Sequence, residues 1–324
     1  MVMKALAVAL LLGTLLAPYP GEAKQSRPMP RVGFLIAGMP SPLPPPLEQG
    51  LRDLGWVEGQ NVVFEPRFAE GRLDRLPALA QELVQMKVDM IVTVAGSTIR
   101  PAFEATRTIP IVMIGGSADP VGDGFAASLA HPGGNVTGVT WSAGPELVGK
   151  NLQLLKEVVP KLSRVALLYD GIINPTALRG WEDAAKRLGL RVELSTIREP
   201  AELEPTIAAI SQAGADAMCV VLSGINYSRR ERIAALALAR RLPTFSTVRE
   251  LPVAGGLMSY GPTTTEILGR GAIYVDKILR GARPSDLPIE QPTKFELVIN
   301  LRTASALGLV VPSSLLRLAD HLIK

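Results

Sequence analysis

The chain has 324 residues, 47% of them hydrophobic and 20% charged, with two histidines, one cysteine and a formal net charge of +4. That length suits two globular units with cores of their own. A single cysteine excludes a disulfide framework and two histidines leave no zinc pattern. The arginines are scattered among acids and aromatics make up 5% of the chain, so there is no stacking platform for nucleic acid.

In chain order, Lys4 opens an apolar run, ALAVALLLGTLLA, followed by PYPG and the small-residue ending Gly21-Glu22-Ala23. This three-part layout is that of a secretory signal peptide, residues 1–23, cleaved after Ala23. The run is short for a bilayer span. With no cysteine beside the cleavage point, the mature chain is expected free of a lipid anchor in the periplasm. The sole cysteine, Cys219 in DAMCVVL, reads as a buried small hydrophobe.

From Arg31 onward, short apolar runs alternate with helical periods. RVGFLI, NVVFEP, DMIVTV and IPIVMI read as four strands of a parallel sheet covered on both faces. After the first comes MPSPLPPPLEQG, whose prolines from Pro40 to Pro46 suggest either a stiff loop or a polyproline ligand. Leu73, Leu76, Leu79 and Leu83 share one helix face between the second and third strands, which makes a βαβ unit. After NVTGVTW the alternation begins again, from PELVGKNLQLLKEVV through RVALLYD and DAMCVVL to GGLMSYG. A further helix, TTTEILGRGAIYVDKILRG, and a strand, KFELVIN, are left over, so the chain crosses between its two units more than once.

Gly122, Gly124 and Ala127 spell G-x-G-x-x-A, close to a dinucleotide fingerprint. Such a fingerprint needs its first glycine at the end of a strand. Here the strand stops at Ile114 and SADPV intervenes, so no cofactor is expected. Asp119, in Ser117-Ala118-Asp119-Pro120, either caps a helix over GFAASLA or faces a ligand amine. No G-x-S-x-G elbow places a serine nucleophile, and catalysis is not expected.

Several long motifs recur in a fixed order: GLRDLGWVEGQNVVFEPRFAEG, DMIVTVAGS, DPVGDGFAASLAHPGGNVTGVT, GGLMSYG and SDLPIEQPTKFELVINLRTASALGLVVPSSLL. From about Arg31 to the C-terminus the chain resembles the ABC-transporter substrate-binding family that includes the tryptophan-binding TrpX-like proteins. That resemblance implies an α/β fold of two doubly wound Rossmann-like lobes joined by a three-crossover hinge, the type I periplasmic-binding-protein fold. The crossovers would fall near Val139-Thr140-Trp141, Met258-Ser259-Tyr260 and Glu296-Leu297-Val298. The lobes would then be residues 30–140 with about 261–293, and 141–260 with about 294–324. It also implies a small-molecule ligand, an ABC permease in the inner membrane as partner, and action as a monomer. A sensing subunit for a receptor or kinase, and an exported carboxylate enzyme, remain open as alternatives.

A zwitterionic ligand such as an amino acid needs donors for its carboxylate, an acceptor for its ammonium and apolar walls. Ser97 and Thr98, where a strand gives way to a helix, suit the carboxylate or simply cap the helix. Asp170, at the end of RVALLYD, is the first choice for the ammonium, with Asp119 behind it. Asn226 and Tyr227 follow the strand DAMCVVL, and Trp141 and Tyr260 stand at crossovers, lining the cleft or packing the hinge.

Overall fold

The computed structural model describes residues 28–38, 42–94, 96–117, 119–141, 146–169, 175–221 and 224–324. The expected signal peptide, Pro40 and Asp170 lie outside them. The chain runs β1 (Arg31–Ile36), α1 (Pro45–Asp53), β2 (Val63–Phe68), α2 (Leu76–Gln85), β3 (Met90–Val94), α3 (Gly96–Ala105), β4 (Ile111–Ile114) and β5 (Val136–Val139). It continues with α4 (Glu146–Val158), β6 (Arg164–Tyr169), α5 (Pro175–Arg187), β7 (Arg191–Thr196), α6 (Leu203–Gln212), β8 (Ala217–Val220), α7 (Gly224–Ser228), α8 (Arg230–Ala239), β9 (Thr244–Ser246), α9 (Glu250–Val253) and β10 (Met258–Pro262). Last come α10 (Thr264–Leu279), β11 (Ile289–Glu290), β12 (Phe295–Asn300), α11 (Leu301–Ala306), α12 (Ser313–Leu318) and β13 (His321–Ile323).

The strands form two sheets, β11-β5-β4-β3-β1-β2 and β13-β12-β10-β9-β8-β6-β7. In the first, all pairs are parallel. One face carries Val32, Phe34, Met90 and Val92 under α1 and α10; the other carries Leu35, Ile91 and Met113 under α2 and α3. Leu76, Leu79 and Leu83 of α2 are buried there, while Leu73 lies in a preceding single turn and packs partly on the same cluster. Each leucine so buried contributes about 1.5–3 kcal/mol.

Two local expectations are corrected. The last residues of the proline run are not loop: Pro45 and Pro46 occupy the first turn of α1, where a missing N–H costs nothing and the fixed φ already suits a helix. The helix expected over GFAASLA does not form. Its backbone groups pair elsewhere, Phe125 and Ala126 N–H donating to Pro120 O, Ala127 N–H to Pro132 O, and Leu129 O accepting from Ile289 N–H.

The second sheet is likewise covered on both faces, by α4 and α5 with α11 and α12 on one side and by α6, α8 and α9 on the other. It is parallel except where β10 meets β12. That antiparallel pair follows from the route of the chain. The carboxyl end of β10 leads into α10, whose Ile267, Leu268 and Tyr274 pack on the first sheet, and β12 returns from there. The carboxyl end of β5 leads the other way, into α4 on the second sheet. The carboxyl edges of the two sheets therefore face each other.

Candidate functional site

The first wall of this cleft is built by the loops after β3, β4 and β5. Helix α3 begins at Gly96, two residues beyond the end of β3, so its first N–H groups open toward the cleft edge. Thr98 Oγ1 donates back to Val94 O at 3.3 Å. Ser97 is 2% exposed, and its Oγ has no hydrogen-bond partner. A buried hydroxyl left in that state costs about 1–3 kcal/mol.

Beside it, Ser117 Oγ donates to Asp123 Oδ2 and accepts from Asp119 N–H at 3.0 Å. Asp123 also faces Arg100, whose Nη2 lies 3.8 Å from Oδ1. Asp119 Oδ1 accepts from Gly122 N–H at 2.9 Å, so its carboxylate closes a turn in place of capping a helix. Trp141 is half-buried and lies against the loop after β4. A Cβ on Gly115, which has φ +62°, would sit 2.2 Å from the indole Nε1, so only glycine fits there.

The second wall is built by the loops after β8 and β9. Asn226, in α7, is fully buried; its Nδ2 donates to Val221 O at 2.9 Å and its Oδ1 has no partner. Tyr227 is exposed, with the Arg230 guanidinium 5.0 Å from its ring centre. Partial burial, and then the Glu250 carboxylate, push its phenol up from the ordinary value, against the opposing pull of Arg230. The Oε2 of Glu250, at the start of α9, is buried and unpartnered. Neighbouring Arg249 donates from Nη1 to Glu296 Oε2 at 3.1 Å, on the crossover strand β12, and His321 Nε2 stands 3.5 Å from the same oxygen.

The expected residues thus divide in a definite way. Ser97, Thr98, Asp119 and Trp141 belong to the first wall, Asn226 and Tyr227 to the second. Tyr260 sits between, on β10, half-buried, stacked on Phe295 at 5.9 Å and packed against the core of the second sheet. The walls come close where Pro200 and Ile225 face Gly71, a Cβ on which would lie 3.7 and 3.8 Å from them. Glu250 was not among the expected residues, although the rule that ligands gather at strand carboxyl ends applies to it: it stands four residues after β9. The two histidines do not meet, His131 lying in the segment between β4 and β5 and His321 on β13. Among the described residues there is no group of three or more side chains placed to hold a metal, and no helix long and apolar enough to cross a membrane.

This architecture recurs in known proteins. A tyrosine-binding protein of Clostridioides difficile is 24% identical over 81% of this chain and 75% of its own length. A crystal structure of a conserved domain protein from Vibrio cholerae covers 91% of this chain and 100% of that one, with 25% identity and a TM-score of 0.81. The structure of an ABC domain in complex with L-Trp from Streptococcus pneumonia covers 91% and 99%, at 24% identity and a TM-score of 0.80. The fold is that of the type I periplasmic binding proteins. The model of the ABC transporter substrate binding proteins matches residues 46–323, which take in every strand of the two sheets but β1, the crossovers and both walls of the cleft, and the chain belongs to that family.

Proposed function

We propose that the protein captures a single amino acid with an aromatic side chain in the cleft between its lobes and hands it, as a monomer in an exported compartment, to an inner-membrane ABC permease. The observation that carries this reading is the pair of buried polar atoms without partners, Ser97 Oγ on one wall and Asn226 Oδ1 on the other. A zwitterion satisfies both. Its carboxylate accepts from the Ser97 hydroxyl and the first N–H groups of α3. Its ammonium donates to Asn226 Oδ1, with the charge of Glu250 and of Asp170, which follows β6, completing the acceptor set. Trp141 and Tyr227 offer ring faces for the side chain. A tyrosine-binding relative and a tryptophan-bound structure of the same fold support that choice of ligand.

Calorimetric titration with L-tryptophan and L-tyrosine tests the reading. Wild type is expected to bind at least one of them with one-to-one stoichiometry. Glu250→Gln and Asp170→Ala, which remove charged hydrogen bonds, are expected to weaken binding about ten- to hundredfold, and Ser97→Ala about two- to tenfold. Asn226→Ala should fall between these. Wild-type affinity in all four variants would place the ligand elsewhere.

A further inference from the structure

We propose that Gly71 is the stop against which the two lobes close, and that the size of the residue there sets how long the cleft retains its ligand; the retention half of this rests on the cleft's binding a ligand as proposed above. Gly71 lies in the loop after β2, an edge strand of the first sheet and the strand farthest from the crossovers. Three backbone hydrogen bonds fasten that loop to the end of β1: Ala69 N–H donates to Ile36 O at 2.8 Å, Glu70 N–H to Gly38 O at 3.0 Å and Gly71 N–H to Ala37 O at 2.8 Å. Glu70 and Gly71 both take left-handed backbone, with φ of +58° and +78°. The loop is therefore a rigid projection.

What it meets belongs to the other lobe. A Cβ at position 71 would lie 3.7 Å from Pro200 Cγ and 3.8 Å from Ile225 Cγ1, and Gly71 is buried although its loop is at the lip of the cleft. Pro200 opens a single turn, Pro200–Glu202, pinned where Arg198 N–H donates to Glu202 Oε2 at 2.7 Å. Ile225 is fully buried and immediately precedes Asn226. Around this apolar point, Glu70, Arg72 and Asp74 face Arg198, Glu199 and Glu202 across a cavity of ≈ 960 Å³. Solvated charges of both signs on both lips give little net attraction. This close apolar approach, at the longest lever arm from the hinge and with no side chain at position 71 to fill it, decides how near the lobes can come.

An alanine Cβ at 3.7 Å makes ordinary contact, so Gly71→Ala should close normally. Leucine has no room. The experiment follows release of L-tryptophan or L-tyrosine by stopped flow in Gly71→Leu, in Pro200→Phe, which enlarges the other side without a left-handed residue, and in Gly59→Leu. Gly59 shares the left-handed backbone, φ +74°, but has nothing within 4 Å of a Cβ, so its variant carries the strain alone. Gly71→Leu and Pro200→Phe are expected to release ligand about tenfold faster or more, which is about 1.4 kcal/mol, with little change in association. Gly59→Leu should lower the melting temperature and leave release unchanged. Adding Ile225→Ala to Gly71→Leu should restore part of the residence time.

A second measurement needs no ligand: the double variant Gly71→Cys/Pro200→Cys is expected to cross-link on mild oxidation, with buried Cys219 taking no part. If the cross-link forms while wild type binds neither amino acid, the ligand reading fails and the stop stands. Absence of the cross-link together with wild-type release in both enlarged variants would overturn the stop, as would equal acceleration in Gly59→Leu.

Discussion

Cys219 shows how burial alone can silence a reactive group. It is 1% exposed in β8, and burial pushes its thiol well above the ordinary range, so at neutral pH no thiolate is present to attack. A thiol reagent should leave the native protein unlabelled and label it fully in denaturant; rapid labelling of the native chain would contradict the packing of the second sheet. Tyr227 is shifted upward too, by partial burial and then the Glu250 carboxylate, and a neutral phenol can donate or stack. At this scale the sequence was readable wherever a strand end could be located. Ser97 and Asn226 can be placed at the cleft edge from the sequence because DMIVTV and DAMCVVL are unmistakable as strands. Asp119 is ambiguous in the sequence because a carboxylate before Pro-Val-Gly serves a turn as readily as a ligand; in the structure its Oδ1 accepts from the Gly122 N–H of such a turn. Glu250 escaped because α9 spans only Glu250–Val253, too short to leave a helical period that would announce a cleft-facing loop.

Among the elements, α10 does most to tie the first lobe together after the chain returns to it. Ile267, Leu268, Ala272, Tyr274 and Val275, on one side of this sixteen-residue helix, sit in one buried cluster with Leu47 and Leu51 of α1, and the helix itself is legible in the sequence. Tyr274 adds a directed bond, its hydroxyl donating to Pro288 O at 2.5 Å just before β11. Burial, and then the Glu290 carboxylate, hold that phenol protonated well above its ordinary value of 10.0. A group whose folded-state pKa is raised contributes stability that is complete below its unfolded value and is lost as pH rises past it. The contribution of Tyr274 to stability should therefore be complete up to about pH 10 and be lost above that. Tyr274→Phe should be less stable by about 1 kcal/mol at pH 7, the net value of one hydrogen bond, with a smaller further loss in alkali. Urea unfolding at pH 7 and pH 10.5 checks both, and an identical alkaline loss in the variant would move the titration to another group. Short elements behaved differently. Nothing in GFAASLA itself reveals that Leu129 O is claimed by Ile289, 160 residues away, and that long-range bond prevails over a local helical preference.

The whole molecule is two doubly wound sheets placed carboxyl edge to carboxyl edge, and the leftover helix and strand at the end of the chain were the clue to it. A chain that leaves one sheet at β5, returns to it after β10 and leaves again into β12 must pair β10 and β12 in opposite directions, which is what the register from Met258↔Ile299 to Pro262↔Phe295 records. What the sequence did not carry was the contact at Gly71, because it joins loops after β2, after β7 and after β8 that share no local pattern. Closure of a cleft is favoured by ligand only to the extent that the ligand binds the closed form better than the open one. Ser97 Oγ and Asn226 Oδ1, on opposite walls, are buried without partners, and the proposed ligand spans them. Small-angle X-ray scattering of the protein with and without saturating L-tryptophan or L-tyrosine therefore tests the central claim most directly. The expected result is a saturable decrease in the radius of gyration on adding at least one of the two, abolished in the Ser97→Ala/Asn226→Ala double variant at the same ligand concentration. A radius unchanged by either amino acid, or an equal decrease in the double variant, would contradict it.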